Sequence, residues 1–124
     1  MAIYKTRWLG QWALKNNLED TALRTAVDEL VDGLSDANRG GDVDKKRVGI
    51  ANRGKSGGVR TLIAFRMNEN VFFIYGFAKN QRANIKVNEL KALKLLAKQL
   101  FNYSVNELSI AVTASELIEV IQDE

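Results

Sequence analysis

The 124-residue chain has no cysteine, no histidine and no proline, with 46% hydrophobic and 27% charged residues. Disulfides, Cys-ligated zinc, a thiol nucleophile and any serine–histidine triad are excluded, and the commonest general base and metal ligand is missing. The net charge of +3 is unevenly spread: residues 39–91 carry twelve basic and four acidic groups, net +8, between flanks of −2 (residues 1–38) and −3 (residues 92–124).

Taken in chain order, Ala2 to Lys5 reads as a short strand. Thr6 is a cap for a short helix that places Trp8, Leu9, Trp12 and Ala13 on one side. A second helix is predicted from about Glu19 to Asp32, with Ala22, Leu23, Ala26, Val27, Leu30 and Val31 at helical period and Gly33 as its C-terminal glycine. Ser35 to Asp44 is polar and reads as loop. Lys45 to Ile50 is a basic strand, and Gly54 to Gly58 a loop. Val59–Arg66 and Val71–Ala78 are β-rich runs that form a hairpin across Met67–Asn70. A third helix is predicted over Val87–Phe101, with Leu90, Leu93, Leu96, Ala97, Leu100 and Phe101 on one side. Ser104 and Glu107 form a capping box for a short further helix. The tail from Glu116 to Ile121 fits strand or helix.

This order predicts an α+β fold in one domain spanning 1–124, with a small antiparallel sheet, helices packed on one face and an extra C-terminal helix. A chain of this size buries roughly two-thirds of its unfolded surface, enough for a core. The longest apolar run, Val71 to Ala78, is eight residues, against roughly 20 for a bilayer span. No signal peptide is visible, so a cytoplasmic location without a membrane partner is expected.

Strand alternation gives the hairpin two unlike faces. Pairing Arg66 with Val71 sets Thr61 against Gly76, Ile63 against Ile74 and Phe65 against Phe72, an apolar face for the core. The other face sets Arg60, Leu62, Ala64 and Arg66 against Phe77, Tyr75, Phe73 and Val71, with Lys79 at the strand end. Cations such as Arg60 and Lys79 are rarely buried unpaired. Arginines beside aromatic rings suit single-stranded RNA, because guanidinium groups hold phosphates and rings stack bases. The alternative is that Phe73, Tyr75 and Phe77 pack beneath a loop with the cations at its rim.

Residues Gly49 to Ser56 match the pattern G-x-x-x-x-G-K-[ST] letter for letter. A phosphate loop must open a helix. Here Gly57-Gly58 and the β-branched run from Val59 follow, so nucleoside triphosphate binding is rejected. Arg53, Lys55 and Arg60 remain placed to hold a phosphate of another ligand.

The blocks Lys45-Lys46-Arg47-Val48, Gly54-Lys55-Ser56-Gly57-Gly58-Val59-Arg60-Thr61 and Phe72-Phe73-Ile74-Tyr75-Gly76-Phe77-Ala78-Lys79-Asn80, with Trp8 and the run Glu89 to Ala97, resemble the RelE-like (HigB/RelE) toxins of bacterial type II toxin–antitoxin modules. The likeness covers most of residues 3–101. It implies an antiparallel sheet with two helices on one side. It also implies a metal-independent messenger RNA endonuclease with no cofactor, often acting in the ribosomal A site. A neutralising antitoxin is implied as well, often a helix-turn-helix DNA-binding protein. By motif, Arg60 falls to the scissile phosphate, Lys45, Lys46 and Arg47 to the basic strand before it, and Lys79 and Arg82 to the basic pair after the last strand. The chain departs from the pattern at Val59, where relatives carry a ring, and at Ile85, near which many place a tyrosine. The general base is thus open between Tyr75 and a lysine, Lys55 or Lys79. The implied site is catalytic Arg60, Lys79, Arg82, Tyr75 and Lys55, with RNA-binding Lys45, Lys46, Arg47, Arg53, Arg66 and Phe77. A non-catalytic RNA-binding module and a gyrase-inhibiting toxin of the same fold are the alternatives.

Overall fold

The computed structural model describes residues 1–50 and 54–121, with backbone alone for 54–57. Its elements are β1 (Ile3–Thr6), α1 (Arg7–Lys15), α2 (Asp20–Val31), β2 (Ala37–Asn38), β3 (Val43–Ile50), β4 (Gly54–Ala64), β5 (Val71–Ala78), α3 (Val87–Phe101), α4 (Val105–Thr113) and β6 (Leu117–Glu119). The six strands form one sheet in the order β2-β3-β4-β5-β1-β6. The α+β class holds, and all pairings but one are antiparallel. The exception is β1, which runs parallel to β5, Ile3 opposite Val71. The tail is a strand, β6, antiparallel to β1.

Local signals set the helix ends. The Thr6 hydroxyl accepts from the Leu9 amide at the start of α1. Ser104 and Glu107 exchange reciprocal bonds at the start of α4, satisfying amides that a helix start leaves without partners.

Helices cover both faces of the sheet, not one. Leu9, Ala13, Leu23, Ala26, Val27 and Leu30 of α1 and α2 pack on Val48, Ile50, Val59, Ile63, Val71 and Phe73. On the opposite face, Ala97 and Leu100 of α3 and Ala111 of α4 pack on Val43, Leu62, Ala64, Phe72, Ile74 and Phe77. The apolar stripe of α3 needs such a surface, and burying each large side chain is worth about 1.5–3 kcal/mol.

An irregularity in β5 decides which side chains meet which helices. Arg60 pairs with Phe77, Thr61 with Gly76 and Leu62 with Tyr75, as parity predicts, but Ile63 then pairs with Phe73. Ile74 is the extra residue of a β-bulge. Phe73 therefore turns to the α1–α2 face, while Ile74 and Tyr75 both face α3. The expected pairing of Ile63 with Ile74 and Ala64 with Phe73 is shifted by one residue for this reason.

The segment read as a glycine loop is instead the start of β4, with no helix following it. At Gly58 an added Cβ would sit 2.0 Å from the Val48 carbonyl oxygen, where β3 and β4 change register. At Gly76 it would sit 2.3 Å from the Trp12 ring, which lies flat on the strand. Overpacking of this kind costs about 1–3 kcal/mol. Gly76→Ala should lose that much stability in chemical denaturation, and adding Trp12→Leu should restore part of it. An unchanged midpoint in Gly76→Ala would contradict this packing.

Candidate nucleic-acid interface

The bulge and the strand register assemble one row across three strands. Arg47 of β3 lies opposite Arg60 of β4, and Arg60 opposite Phe77 of β5. The next row is Lys45, Leu62 and Tyr75, and further along come Val43, Ala64 and Phe72. All face the α3 side. The face thus grades from cationic at one end to apolar at the other, and α3 covers the apolar end.

Like charges directly opposite one another in an antiparallel pair repel. Arg47 is partly compensated: its Nε lies 3.2 Å from Asp36 Oδ1, and its amide donates to Asp36 Oδ2 at 2.5 Å. Burial works to raise the Asp36 carboxyl, but the bond from the Arg47 amide and the Lys46 and Arg47 charges outweigh it and hold it below the ordinary carboxylate value. Arg60 is half-buried. Its Nη1 is shielded from solvent and has no hydrogen-bond partner among the described residues.

Arg82 closes the row from the connection between β5 and α3. Its guanidinium grips Glu89 of α3 with two bonds, Nη2 to Oε1 at 2.5 Å and Nη1 to Oε2 at 3.1 Å. It donates to the Tyr75 hydroxyl at 3.2 Å and to the Asn84 carbonyl at 3.0 Å, and lies 5.7 Å from the Phe77 ring centre. The bonds from Arg82 and from the Lys86 amide pull Glu89 from 4.5 down to about 2. A lowered carboxylate contributes above its ordinary value and is lost as pH falls through the lowered one. The anchor is therefore intact at neutral pH and released only toward pH 2.

Tyr75 is clamped from its other side by Trp8, with ring centroids 4.6 Å apart and planes 17° from parallel. Trp8 also stacks on Trp12 at 6.1 Å, and is 46% exposed. The sequence placed Trp8 on one helix side with Leu9, Trp12 and Ala13 and within the family likeness, but gave Trp8, Glu89 and Asp36 no part in the site. The Arg82–Glu89 spacing, spanning a turn and the first turn of α3, was the signal that could have suggested the pair.

Of the residues expected at the site, Arg60, Arg47, Lys45, Tyr75 and Arg82 come together on one face. Lys79 is exposed just past the end of β5. Arg53 and the side chain of Lys55 lie outside the described residues. Three expectations fail on position. Lys46 points to the α1–α2 face, 2% exposed, with Nζ 2.7 Å from Glu29 Oε1 and 3.9 Å from Asp36 Oδ2, so it ties α2 to the sheet instead of meeting RNA. Arg66 sits beyond the opposite end of β4, stacked 4.4 Å over Phe101 and bonded to Asp42 at 2.9 Å. Phe77 faces the α3 side but is 3% exposed, too buried to stack a base.

The family model of the RelE toxin of the RelE/RelB toxin–antitoxin system matches residues 1–120. The chain belongs to the RelE toxin family. No curated protein matches it. Membership makes the chain a toxin of a toxin–antitoxin module and implies a cognate antitoxin. No helix among the described residues of the toxin is long and apolar enough to cross a membrane.

The two neighbouring lysines of this toxin should therefore separate on substitution. Lys46→Ala should cost about 1–3 kcal/mol of stability, less than the roughly 3–5 of a wholly buried pair, because the Glu29 side chain is 23% exposed. Lys45→Ala should leave stability unchanged, because Lys45 forms no ion pair among the described residues. The reverse pattern would mean that the strand faces are misassigned.

Proposed function

We propose that the toxin is a metal-independent endoribonuclease that cuts messenger RNA, acting in the ribosomal A site and neutralised by a helix-turn-helix antitoxin. The observation that carries this reading is Arg60, whose shielded Nη1 lacks a partner among the described residues and whose cross-strand neighbour is a second arginine. A half-buried guanidinium left in that state is costly unless an anion completes it. A phosphodiester supplies the matching bidentate geometry.

In this reading the ribose 2′-hydroxyl attacks the adjacent phosphorus. The bond from O2′ to phosphorus forms, the bond from phosphorus to O5′ breaks, and the products end in a 2′,3′-cyclic phosphate and a 5′-hydroxyl. The proton leaves O2′ and one is delivered to O5′. Arg60 and Arg82 offset the charge that develops on the phosphorane oxygens, Arg82 held in place by Glu89. Tyr75 is assigned the proton from O2′, because it lies in the row next to Arg60, with its ring fixed by Trp8 and its hydroxyl by Arg82. Lys45 and Arg47 hold neighbouring phosphates.

Arg60→Ala should lower cleavage by about 100–1,000-fold with the fold intact. Tyr75→Phe keeps the stack on Trp8 and should cost about 100-fold or more; an unchanged rate would pass the proton to Lys79. Mapping messenger ends after induction in a bacterium should show new 5′ ends that Arg60→Ala abolishes. An SOS response without such ends would mark a gyrase-directed toxin instead, and neither signal a non-catalytic RNA-binding module.

A further inference from the structure

The outer side of α3 carries cations that the cleavage site does not use. Lys91, Lys94 and Lys98 stand at i, i+3 and i+7, so they share one face of the helix over about 10 Å. None of the three forms an ion pair among the described residues. They line an open groove with Gly41, Asp42 and Arg66. The one carboxylate there, Asp42, is already bonded to Arg66 at 2.9 Å. The single acid of α3, Glu89, is held by Arg82.

This groove lies on the same side of the sheet as the cationic row, toward the other end of β3. An added Cβ on Gly41 would lie 2.9 Å from Lys94 Cγ, so the lysine stem rests on the turn that leads into β3. From that turn, β3 carries Lys45 and then Arg47 on the same side of the sheet that α3 covers. Gly41 to Arg47 is about 20 Å of extended chain. Along this side stand Arg47 and Arg60, then Lys45, then the paired Asp42 and Arg66 at the turn, and beyond them Lys91, Lys94 and Lys98.

We propose that this stripe on α3 is a second phosphate-binding segment, so that the toxin holds an RNA strand extending well beyond the nucleotides at Arg60. The inference rests on the RNA-cleaving reading of the Arg60 row and deepens it. Three point charges without base-reading groups beside them grip backbone phosphates without regard to sequence. A single strand fits better than an acidic protein segment, because further cations, Lys45, Arg47 and Arg60, stand on the same side of the sheet within about 20 Å of extended chain. An acidic partner would need only the helix.

The test uses the full chain and 2′-O-methyl oligonucleotides of about four and about twelve nucleotides, which lack the attacking hydroxyl. Affinity is measured across a salt series for wild type, Arg60→Ala, and a variant carrying Lys91→Ala, Lys94→Ala and Lys98→Ala. Alanine preserves helix propensity, and circular dichroism checks the fold. Wild type should show a steeper salt slope for the longer oligonucleotide. The triple variant should lose about two units of that slope, at roughly 0.7 per phosphate, and bind the shorter one as wild type does. A triple variant with the wild-type slope on the longer strand overturns the second segment, whether or not the stripe then proves to bind an acidic protein. If the triple variant loses slope while Arg60→Ala binds both oligonucleotides as wild type, the segment stands and the reading of the Arg60 row falls. No RNA binding by wild type overturns both.

Discussion

Ile74 is one residue more than the β4–β5 ladder needs, and the arrangement of the site follows from how the chain disposes of it. Without the bulge, strict alternation would send Tyr75 to the α1–α2 face if Phe72 and Ile74 stayed under α3. With it, Phe72, Ile74, Tyr75 and Phe77 all reach the α3 side, while Phe73 and Gly76 turn to the other. Phe72 and Ile74 serve the core beneath α3. Tyr75, one residue on, stands in the row adjoining Arg60, within reach of Arg82. A bulge re-aims a side chain by changing parity locally at the cost of a ladder position, and here it lets one strand serve a two-sided core and a polar site together.

The two covered faces set where the site lies. A sheet with helices on one side only would present the whole mixed face to solvent. Here α3 takes the apolar end of that face, through Leu100 and Ala97 on Phe72, Ala64 and Val43, and the cations are displaced to the other end. The Arg82–Glu89 pair joins the two regimes. It fixes the connection after β5 to the first turn of α3, and in doing so holds a guanidinium beside Tyr75. Trp8 contributes from the other direction, since α1 follows directly on β1 and brings its ring against Tyr75.

Much of this was legible in the sequence where the governing physics is local. The 3.6-residue period placed α3 at Val87–Phe101 and the β-rich run placed β5 at Val71–Ala78; Thr6 and the Ser104–Glu107 box marked two helix starts. The charge gradient and strand parity put Arg60 and Tyr75 on one face, the resemblance to RelE-like toxins added the block Lys45 to Arg47 without telling its faces apart, and that resemblance agreed with the family match. What could not be read was non-local. A bulge leaves no mark in composition, so the register beyond Leu62 slipped by one. Lys45 and Lys46 look alike as letters, and only α2, presenting Glu29, makes one a buried strut. Arg66 reads as a functional cation until Phe101 and Asp42, brought from elsewhere in the chain, occupy it. Parallel pairing of β1 with β5 joins segments far apart in the chain that no local signal connects.

The proposed cleavage rests on an RNA phosphate, on the α3 side of the sheet, completing Arg60 Nη1, which is shielded and has no hydrogen-bond partner among the described residues. The most direct test is the structure of the toxin bound to an oligoribonucleotide carrying one 2′-deoxy substitution at the cleavage position. A phosphate oxygen should lie within hydrogen-bond distance of Arg60 Nη1, with the strand passing Tyr75 and Lys45. RNA seated on the α1–α2 face, or bound with Arg60 still lacking an anion, would contradict it.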